Sequence, residues 1–159
     1  MWWQPLSVTE WPIPSISVIG NQPAEPADRL DWEIRTVAER LRTLSPARLR
    51  APLPPYPSRE QAGRMLAQRL ADAAAGVAAG ASDDPPVWRE MPEIEVFGVG
   101  EQVAVAGNDL VHALAGDHGP MGPPVDAPGA VIWTRAGRRP LAGVLDELLA
   151  TLRELRLTL

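Results

Sequence analysis

The sequence predicts an α+β domain dominated by helices, with three amphipathic helices and a small β-hairpin or three-stranded sheet. In three stretches, apolar residues recur at spacings of three and four, which indicates a helix with one buried face. Between the second and third stretches, a short segment alternates apolar and polar residues, as a half-buried strand does. Segments rich in proline and glycine separate these stretches, and 159 residues are enough for a single core.

The N-terminal residues 1–27 are predicted to form an extended arm, and residues 28–159 a single helical or mixed domain. The prolines of the arm prevent a helix of useful length. The arm also contains Trp2, Trp3 and Trp11, which are half of the six tryptophans. Disordered tails are usually poor in aromatic residues. We therefore expect the arm to place its tryptophans on the domain or on a partner, with a disordered tail as the alternative.

The first predicted helix spans residues 28–44. Asp28 is suited to be its N-cap, because its carboxylate can accept a hydrogen bond from a free amide of the first turn. Ser45 and Pro46 end this helix, since a residue before proline disfavours helical geometry. They also favour a single further helical turn, with proline at its first position. The predicted buried face consists of Leu30, Ile34, Val37, Leu41 and Leu44.

The second predicted helix spans residues 58–79 and begins with a capping box formed by Ser58 and Gln61. Its buried face is rich in alanine, which permits close approach of a neighbouring helix. The proline-rich stretch before it predicts a stiff spacer between the two helices. An alternative is that Pro52 and Pro55, with their PxxP spacing, form a ligand for an SH3-type domain.

A β-hairpin is predicted over about residues 93–106, because two alternating stretches flank a turn at Gly98 and Gly100. The same glycines resemble the start of a dinucleotide-binding loop. However, Val103 stands where that loop needs its third glycine, and the loop should open a helix. We therefore interpret the glycines as a hairpin turn.

The last predicted helix spans residues 140–157 and follows a glycine- and proline-rich loop over 116–129 and a possible third strand at 130–133. Pro140 is suited to the first turn of a helix. The apolar stripe of this helix is the most regular in the chain. We call it the leucine seam; it contains Leu141, Leu145, Leu148, Leu152, Leu155 and Leu159.

The leucine seam has two interpretations. A buried helix in a monomeric bundle shows the same spacing as a coiled coil between chains, and a seam shorter than three heptads favours the monomeric core. However, Leu149 and Leu157 widen the apolar surface, and the alanine-rich second helix offers little volume against it. We therefore expect part of this helix to contact a partner.

The composition excludes several kinds of chemistry. The chain has no cysteine, and all 15 of its basic residues are arginine. It therefore lacks a thiol nucleophile, a disulfide, a cysteine-ligated metal and a Schiff-base lysine. A lysine-dependent phosphate-binding loop is excluded for the same reason. This lysine-free composition, rich in alanine, arginine, glycine and proline, is typical of a high-GC bacterial genome.

The charge and hydropathy predict which classes of molecule the protein does not bind. A net charge of −5 and a pI near 5.0 are unfavourable for contacts with phosphates of nucleic acid or with an anionic membrane. No stretch is long and apolar enough for a transmembrane helix, and the N-terminus lacks the features of a secretion signal. We predict a soluble, cytoplasmic protein that binds neither nucleic acid nor membrane.

Three arginines, Arg135, Arg138 and Arg139, precede the last predicted helix. Positive charge at the start of a helix is unfavourable beside the helix dipole. The arginines therefore indicate an anionic partner, such as a carboxylate cluster or a phosphate at the helix N-terminus. A solvated turn is the simpler explanation, and the sequence favours it.

An enzymatic alternative depends on Asp109, His112, Asp117 and His118, which include both histidines of the chain. Asp109 and His112 are three residues apart and would share a helix face. A metal site in a small hydrolase would need all four side chains to converge. Asn108 is suited to cap a short helix here, but Gly116 ends that helix between the two pairs, so nothing in the sequence forces this convergence.

The sequence thus favours a non-enzymatic accessory or scaffold subunit that binds another protein, or a second copy of itself, through its arm and its last helix. We predict no catalytic residue, cofactor or metal. The alternative is a small-ligand-binding or sensory module with a pocket near Trp88, Phe97 and Trp133. The residues predicted to bind the partner are Trp2, Trp3, Trp11, Arg135, Arg138, Arg139, Leu141, Leu145, Leu148, Leu152 and Leu155.

Overall fold

The computed structural model describes residues 26–80, 82–116 and 129–159. Within these ranges the chain forms five α-helices, one 3₁₀ turn and one two-stranded antiparallel sheet, so the fold is α+β and helix-dominated, as predicted. The elements are α1 (Pro26–Thr43), α2 (Pro46–Arg50), α3 (Arg59–Ala79), the 3₁₀ turn (Val96–Gly98), α4 (Val99–Leu114), β1 (Val131–Thr134), β2 (Gly137–Pro140) and α5 (Leu141–Thr158).

The four long helices share one hydrophobic core. α4 packs along both α1 and α3, and α5 packs against the same two helices. The sheet lies on α3 through β1, and β2 leads directly into α5. The buried apolar side chains of this core are Leu, Val, Ile and Ala, and every described aromatic residue lies half-buried or exposed around it. The aromatic side chains are therefore available for contacts at the surface.

The three predicted long helices are confirmed as α1, α3 and α5, and each observed end lies within two residues of the predicted one. The hydroxyl of Ser58 accepts a hydrogen bond from the amide of Gln61 at 3.1 Å, which caps α3. Ser45 caps the short helix α2 through the amide of Arg48. Asp28 lies in the first turn of α1 and not at its N-cap, because α1 already begins at Pro26.

The predicted hairpin over residues 93–106 is wrong, because α4 begins at Val99 and covers the second half of this stretch. Val99 and Val103, four residues apart, are both buried on the inner face of α4. Gly107 lets α4 approach α1 closely, since a Cβ at this position would lie 2.2 Å from Cγ2 of Ile34. Such a short alternating stretch fits a helix as well as a strand. Here the close packing of the neighbouring helices favours the helix.

The sheet has two strands in the described part of the chain, and its hairpin lies later than predicted. β1 contains most of the possible strand at 130–133 and pairs with β2, with Val131 opposite Pro140 and Thr134 opposite Gly137. The φ angle of Gly137 is +111°, a conformation that favours glycine, directly after the turn. The arginine-rich strand β2 was not predicted, because it has no apolar alternation.

The proline-rich connector between α2 and α3 is a tight turn. The amide of Leu53 donates to the carbonyl of Tyr56 at 3.3 Å, and the amide of Tyr56 donates to the carbonyl of Leu53 at 2.6 Å. A polyproline helix has no internal hydrogen bonds, and the Leu53 side chain is buried in the core. The spacer interpretation therefore fits the structure, whereas the SH3-ligand interpretation of Pro52 and Pro55 does not.

A long extended segment connects α3 to the 3₁₀ turn. We call residues 82–95 the strap. The strap belongs to neither the helices nor the sheet, and it contributes no side chain to the buried core. It includes Glu93 and Glu95, which the sequence placed in a strand. The strap is held by side chains of α3, α4 and the β-hairpin, whose contacts are described below.

Candidate functional site

The leucine seam of α5 lies in the core of its own chain. Leu141, Leu148, Leu152 and Leu155 are buried, and Leu145 is half-buried. α5 meets α1 and α3 along this face, so the neighbouring helices supply the apolar partners that the sequence left unassigned. The exposed apolar residue of α5 lies outside the seam, at Leu157, which is 75% exposed near the C-terminal end of the helix.

Arg139 is paired within the hairpin and helix that follow it. Its guanidinium donates two hydrogen bonds to the carboxylate of Glu147 on α5, one of them at 3.1 Å. These hydrogen bonds lower the pKa of Glu147 and raise the pKa of Arg139. The charge that the sequence assigned to an anionic partner is therefore already balanced by a carboxylate of the same chain.

Arg135 joins three parts of the molecule. From the turn of the hairpin, its guanidinium donates to Asp72 on α3 at 2.6 Å and to Glu90 on the strap at 2.8 Å. It also lies over the ring of Trp88, 5.8 Å from the ring centre. Hydrogen bonding to Asp72, and then to Glu90, raises the pKa of Arg135. Arg135 thus fastens the strap to α3.

Arg138 and Trp133 hold the start of the strap. The indole N–H of Trp133 donates to the carbonyl of Ser82 at 2.9 Å, and the guanidinium of Arg138 donates to the same carbonyl. Arg138 also lies 4.9 Å from the centre of the Trp133 ring and 3.6 Å from a carboxylate oxygen of Asp83. The structure therefore gives all three predicted arginines a partner inside the chain.

Three side chains on α3 and α4 bind the backbone of the strap; we call Arg64, Gln68 and Gln102 the backbone row. The side-chain Nε2 of Gln68 donates to the backbone carbonyl of Arg89 at 3.0 Å, and its Oε1 accepts from the backbone N–H of Met91 at 2.8 Å. Gln102 donates to the carbonyl of Pro92 at 2.6 Å. The guanidinium of Arg64 donates to the carbonyl of Ile94.

The aromatic residues of the predicted ligand pocket lie on three different elements, with Trp88 on the strap, Phe97 on the 3₁₀ turn and Trp133 on β1. Trp88 and Trp133 are half-buried, and each has an arginine over its ring. Phe97 is 62% exposed on the 3₁₀ turn. None of the three lines the groove described below. The contacts of Trp88 and Trp133 instead hold the strap and the hairpin in place.

Asp109 and His112 both lie on the exposed face of α4. Asp117 and His118, which would complete the proposed enzyme site, lie outside the described residues, as do Trp2, Trp3 and Trp11 of the arm. Within 26–80, 82–116 and 129–159, no three His, Cys, Asp or Glu side chains are grouped closely enough to hold a metal ion.

A shallow groove of about 410 Å³ follows the outer face of α1. Trp32 is 39% exposed at one end of it, and Thr43 lines it at the other. All six lining residues belong to α1, so the groove is open along its length. Its lining consists of Trp32, Arg35, Thr36, Glu39, Arg40 and Thr43.

The C-terminal end of α5 positions one edge of this groove. The buried carboxylate of Glu33 accepts a hydrogen bond from Arg156 at 2.8 Å and lies 3.5 Å from Arg153. Arg156 in turn lies 5.3 Å from the centre of the Trp32 ring, and its carbonyl accepts from Arg40. Glu33 therefore positions the guanidinium of Arg156 over the Trp32 ring.

The sequence contained one signal for this groove. The predicted buried face of α1 excludes Trp32, which sits among charged residues on the outer face. A tryptophan on the polar face of an amphipathic helix has no role in the core, and tryptophan is enriched among the energetic centres of interfaces, so it was the available signal.

Comparison of the chain with protein-family models, with curated proteins and with solved structures finds no match. In the part of the chain that the structure describes, no helix combines the length and the apolar character needed to span a bilayer. The argument for function therefore depends on the geometry of the molecule itself.

Proposed function

We propose that this chain is a non-enzymatic accessory or scaffold subunit that binds a partner protein through the Trp32 groove, aided by its N-terminal arm. The observation that supports this proposal most directly is the part-exposed Trp32, which has Arg156 over its ring and shares the groove with Arg35 and Arg40. Tryptophan and arginine are the residues most enriched among the energetic centres of protein interfaces. The arm joins α1 at Pro26, about 9 Å of helix from Trp32 at 1.5 Å per residue, so both can contact one partner.

The shape of the groove favours a protein over a small ligand. Sites for small molecules typically enclose about 70–90% of the ligand surface. A groove lined by one face of a single helix leaves most of a small ligand in solvent. A partner helix or extended segment is less affected by this exposure, because it extends beyond the groove and makes further contacts with the protein.

The role of the last helix in this proposal differs from the sequence prediction. The leucine seam is buried, so the contribution of α5 comes from its C-terminal turns, where Arg156 supports Trp32 and Leu157 is exposed. Trp2, Trp3 and Trp11 remain predicted contacts of the arm. The arginines of the hairpin already bind acidic or carbonyl groups of the same chain, so they need no external anion.

The proposal is tested by site-specific photo-crosslinking in cells of the source organism. A photo-reactive amino acid replaces Thr36 inside the groove or, as a control, the exposed Val105 on α4. We expect the Thr36 probe to capture one defined protein that the Val105 probe does not capture. Trp32→Ala, added to the Thr36 probe, should remove the product while the circular dichroism melting curve stays close to that of the parent.

The crosslinking experiment also has a clear negative result. Equal products from the Thr36 and Val105 probes, or a product that survives Trp32→Ala, would count against the groove as the partner surface. Size-exclusion chromatography with light scattering distinguishes a second copy of the chain from a different partner protein.

A further inference from the structure

The backbone row binds main-chain atoms of the strap, and this chemistry does not depend on the strap's side chains. Gln68 pairs with a carbonyl and with the amide two residues later, as a neighbouring β-strand would. Gln102 and Arg64 add two further carbonyl contacts along the same extended segment. Recognition through main-chain hydrogen bonds is the usual way in which proteins bind an extended peptide.

The strap fills this site incompletely. Gln102 is only 7% exposed, and its Oε1 atom has no hydrogen-bond partner among the described residues. The strap residue that Gln102 binds is Pro92, which has no N–H to donate. A different peptide, with an ordinary residue at this point, offers the donor that Gln102 lacks.

The strap is also attached mainly at its surface. None of its side chains is fully buried: Met91 packs half-buried against the core, whereas Val87 is 84% exposed. Apart from the backbone row, its middle is fastened by Arg135 through Glu90 and Trp88. Segments with few buried apolar contacts and exposed polar fastenings open locally, without unfolding of the core.

We propose that the backbone row is a binding site for an extended peptide of a partner protein, which the strap occupies within the same chain and vacates when it opens. This site is separate from the Trp32 groove, so either proposal can fail without the other. The tethered strap competes with the peptide. The apparent affinity for the peptide equals the affinity of the open form multiplied by the fraction of molecules in which the strap is open. Weakening the strap should therefore strengthen peptide binding.

The probe is a labelled synthetic peptide with the sequence of residues 84–96 in which alanine replaces Trp88 and Glu90, DPPVARAMPEIEV, so that it lacks the groups that Arg135 holds in the strap. In a fluorescence anisotropy titration of the full chain, we expect Arg135→Ala to bind the probe a few-fold more tightly than the parent chain, because only the strap loses a fastening. A second probe, in which proline also replaces Met91 and removes the N–H that Gln68 accepts, should bind Arg135→Ala a few-fold more weakly than the first. Arg139→Ala, which removes an ion pair that does not involve the strap, should bind as the parent does.

Hydrogen exchange measured on the same variants tests the opening itself. The amide of Met91, bonded to Gln68, should exchange faster in Arg135→Ala while the amides of buried α3 residues do not change. If Arg135→Ala does not fold, Glu90→Gln weakens the same fastening and leaves the contact between Arg135 and Asp72.

Three results would overturn the proposal. The first is equal affinity of the parent chain, Arg135→Ala and Arg139→Ala for the probe. The second is equal binding of the two probes to Arg135→Ala. The third is a concentration-dependent dimer of Arg135→Ala in light scattering, which would assign the site to the strap of a second copy.

Discussion

α3 is covered on two sides by segments that attach to it in opposite ways. α4 attaches through close apolar contact: a Cβ at Gly63 of α3 would lie 2.7 Å from Cγ2 of Val99. The strap attaches through hydrogen bonds from Gln68 and Arg64 to its backbone, with no buried side chain of its own. The first kind of contact depends on volume and shape, whereas the second depends on charge and hydrogen bonding. The two sides should therefore respond differently to substitution, salt and pH.

The largest effect is expected in the apolar core that α4 and α5 share with α3. Leu152 on α5 is completely buried, and Leu152→Ala should lower the free energy of unfolding by about 2–5 kcal/mol, through lost burial and the cavity that remains. Leu157 is the control on the same helix, because it is 75% exposed. Leu157→Ala should change the free energy by less than about 0.5 kcal/mol. Urea denaturation followed by circular dichroism measures both, and similar losses would contradict the assignment of the buried face.

The next effect concerns the packing of the hairpin on α3. A Cβ at Gly76 would lie 2.0 Å from the carbonyl oxygen of Trp133, and a backbone atom cannot move aside cheaply. Gly76→Ala should therefore destabilise the fold by about 1–3 kcal/mol. Gly143 in α5 has no atom within 4 Å of its Cβ position, so Gly143→Ala should stabilise the helix by about 0.5–1 kcal/mol. Thermal unfolding of the two variants should show shifts of opposite sign; shifts of the same sign would refute the close contact.

The difference between the two sides of α3 also explains which parts of the fold the sequence could predict. α1, α3 and α5 carry apolar residues at helical spacing over many residues, so their existence and ends follow from local physics. α4 carries the same kind of pattern, but its glycines and its short alternating start favoured a hairpin. These glycines permit close contact with another helix, which the sequence alone does not place opposite them.

The sequence did not predict the strap, and the reason is different. Its hydrogen-bond partners, Arg64, Gln68 and Gln102, look like ordinary polar residues on helix faces, and they lie 10 to 30 residues away from the atoms they bind. The charges of Arg135 and Arg138 were visible, but their acid partners lie still farther away along the chain, 63 residues for Asp72. For the Trp32 groove, one exposed tryptophan on a polar face was the available signal.

A smaller effect is expected where the strap meets α3. Gln68→Ala removes the paired hydrogen bonds to Arg89 and Met91, and a net loss of about 1 kcal/mol in the free energy of unfolding is expected for contacts of this kind. Gln61 is the control on the same helix, because its side chain is exposed and Ser58 binds only its backbone amide. Gln61→Ala should stay within about 0.5 kcal/mol of the parent chain. Equal effects of the two substitutions, measured by urea denaturation, would show that the strap contributes nothing to stability.

The smallest effect is a dependence on pH that belongs to the polar surface alone. Hydrogen bonds from Arg42 lower the pKa of Glu101, and hydrogen bonds from Arg139 lower the pKa of Glu147, both below the ordinary value of 4.5. A carboxylate with a lowered pKa in the folded state stabilises the fold above pH 4.5, and this contribution is lost as the pH falls through the lowered pKa. The double substitution Arg42→Ala with Arg139→Ala should therefore reduce the free energy of unfolding more at about pH 7 than at about pH 3.

The control for this pH experiment is Arg50→Ala, because Arg50 is exposed and has no acidic partner among the described residues. Urea denaturation of the parent chain and the two variants at both pH values gives the comparison. Arg50→Ala should change the free energy of unfolding by the same amount at both pH values. A loss in the double variant that is as large at about pH 3 as at about pH 7 would mean that the arginines act through packing of their side chains and not through their carboxylate partners.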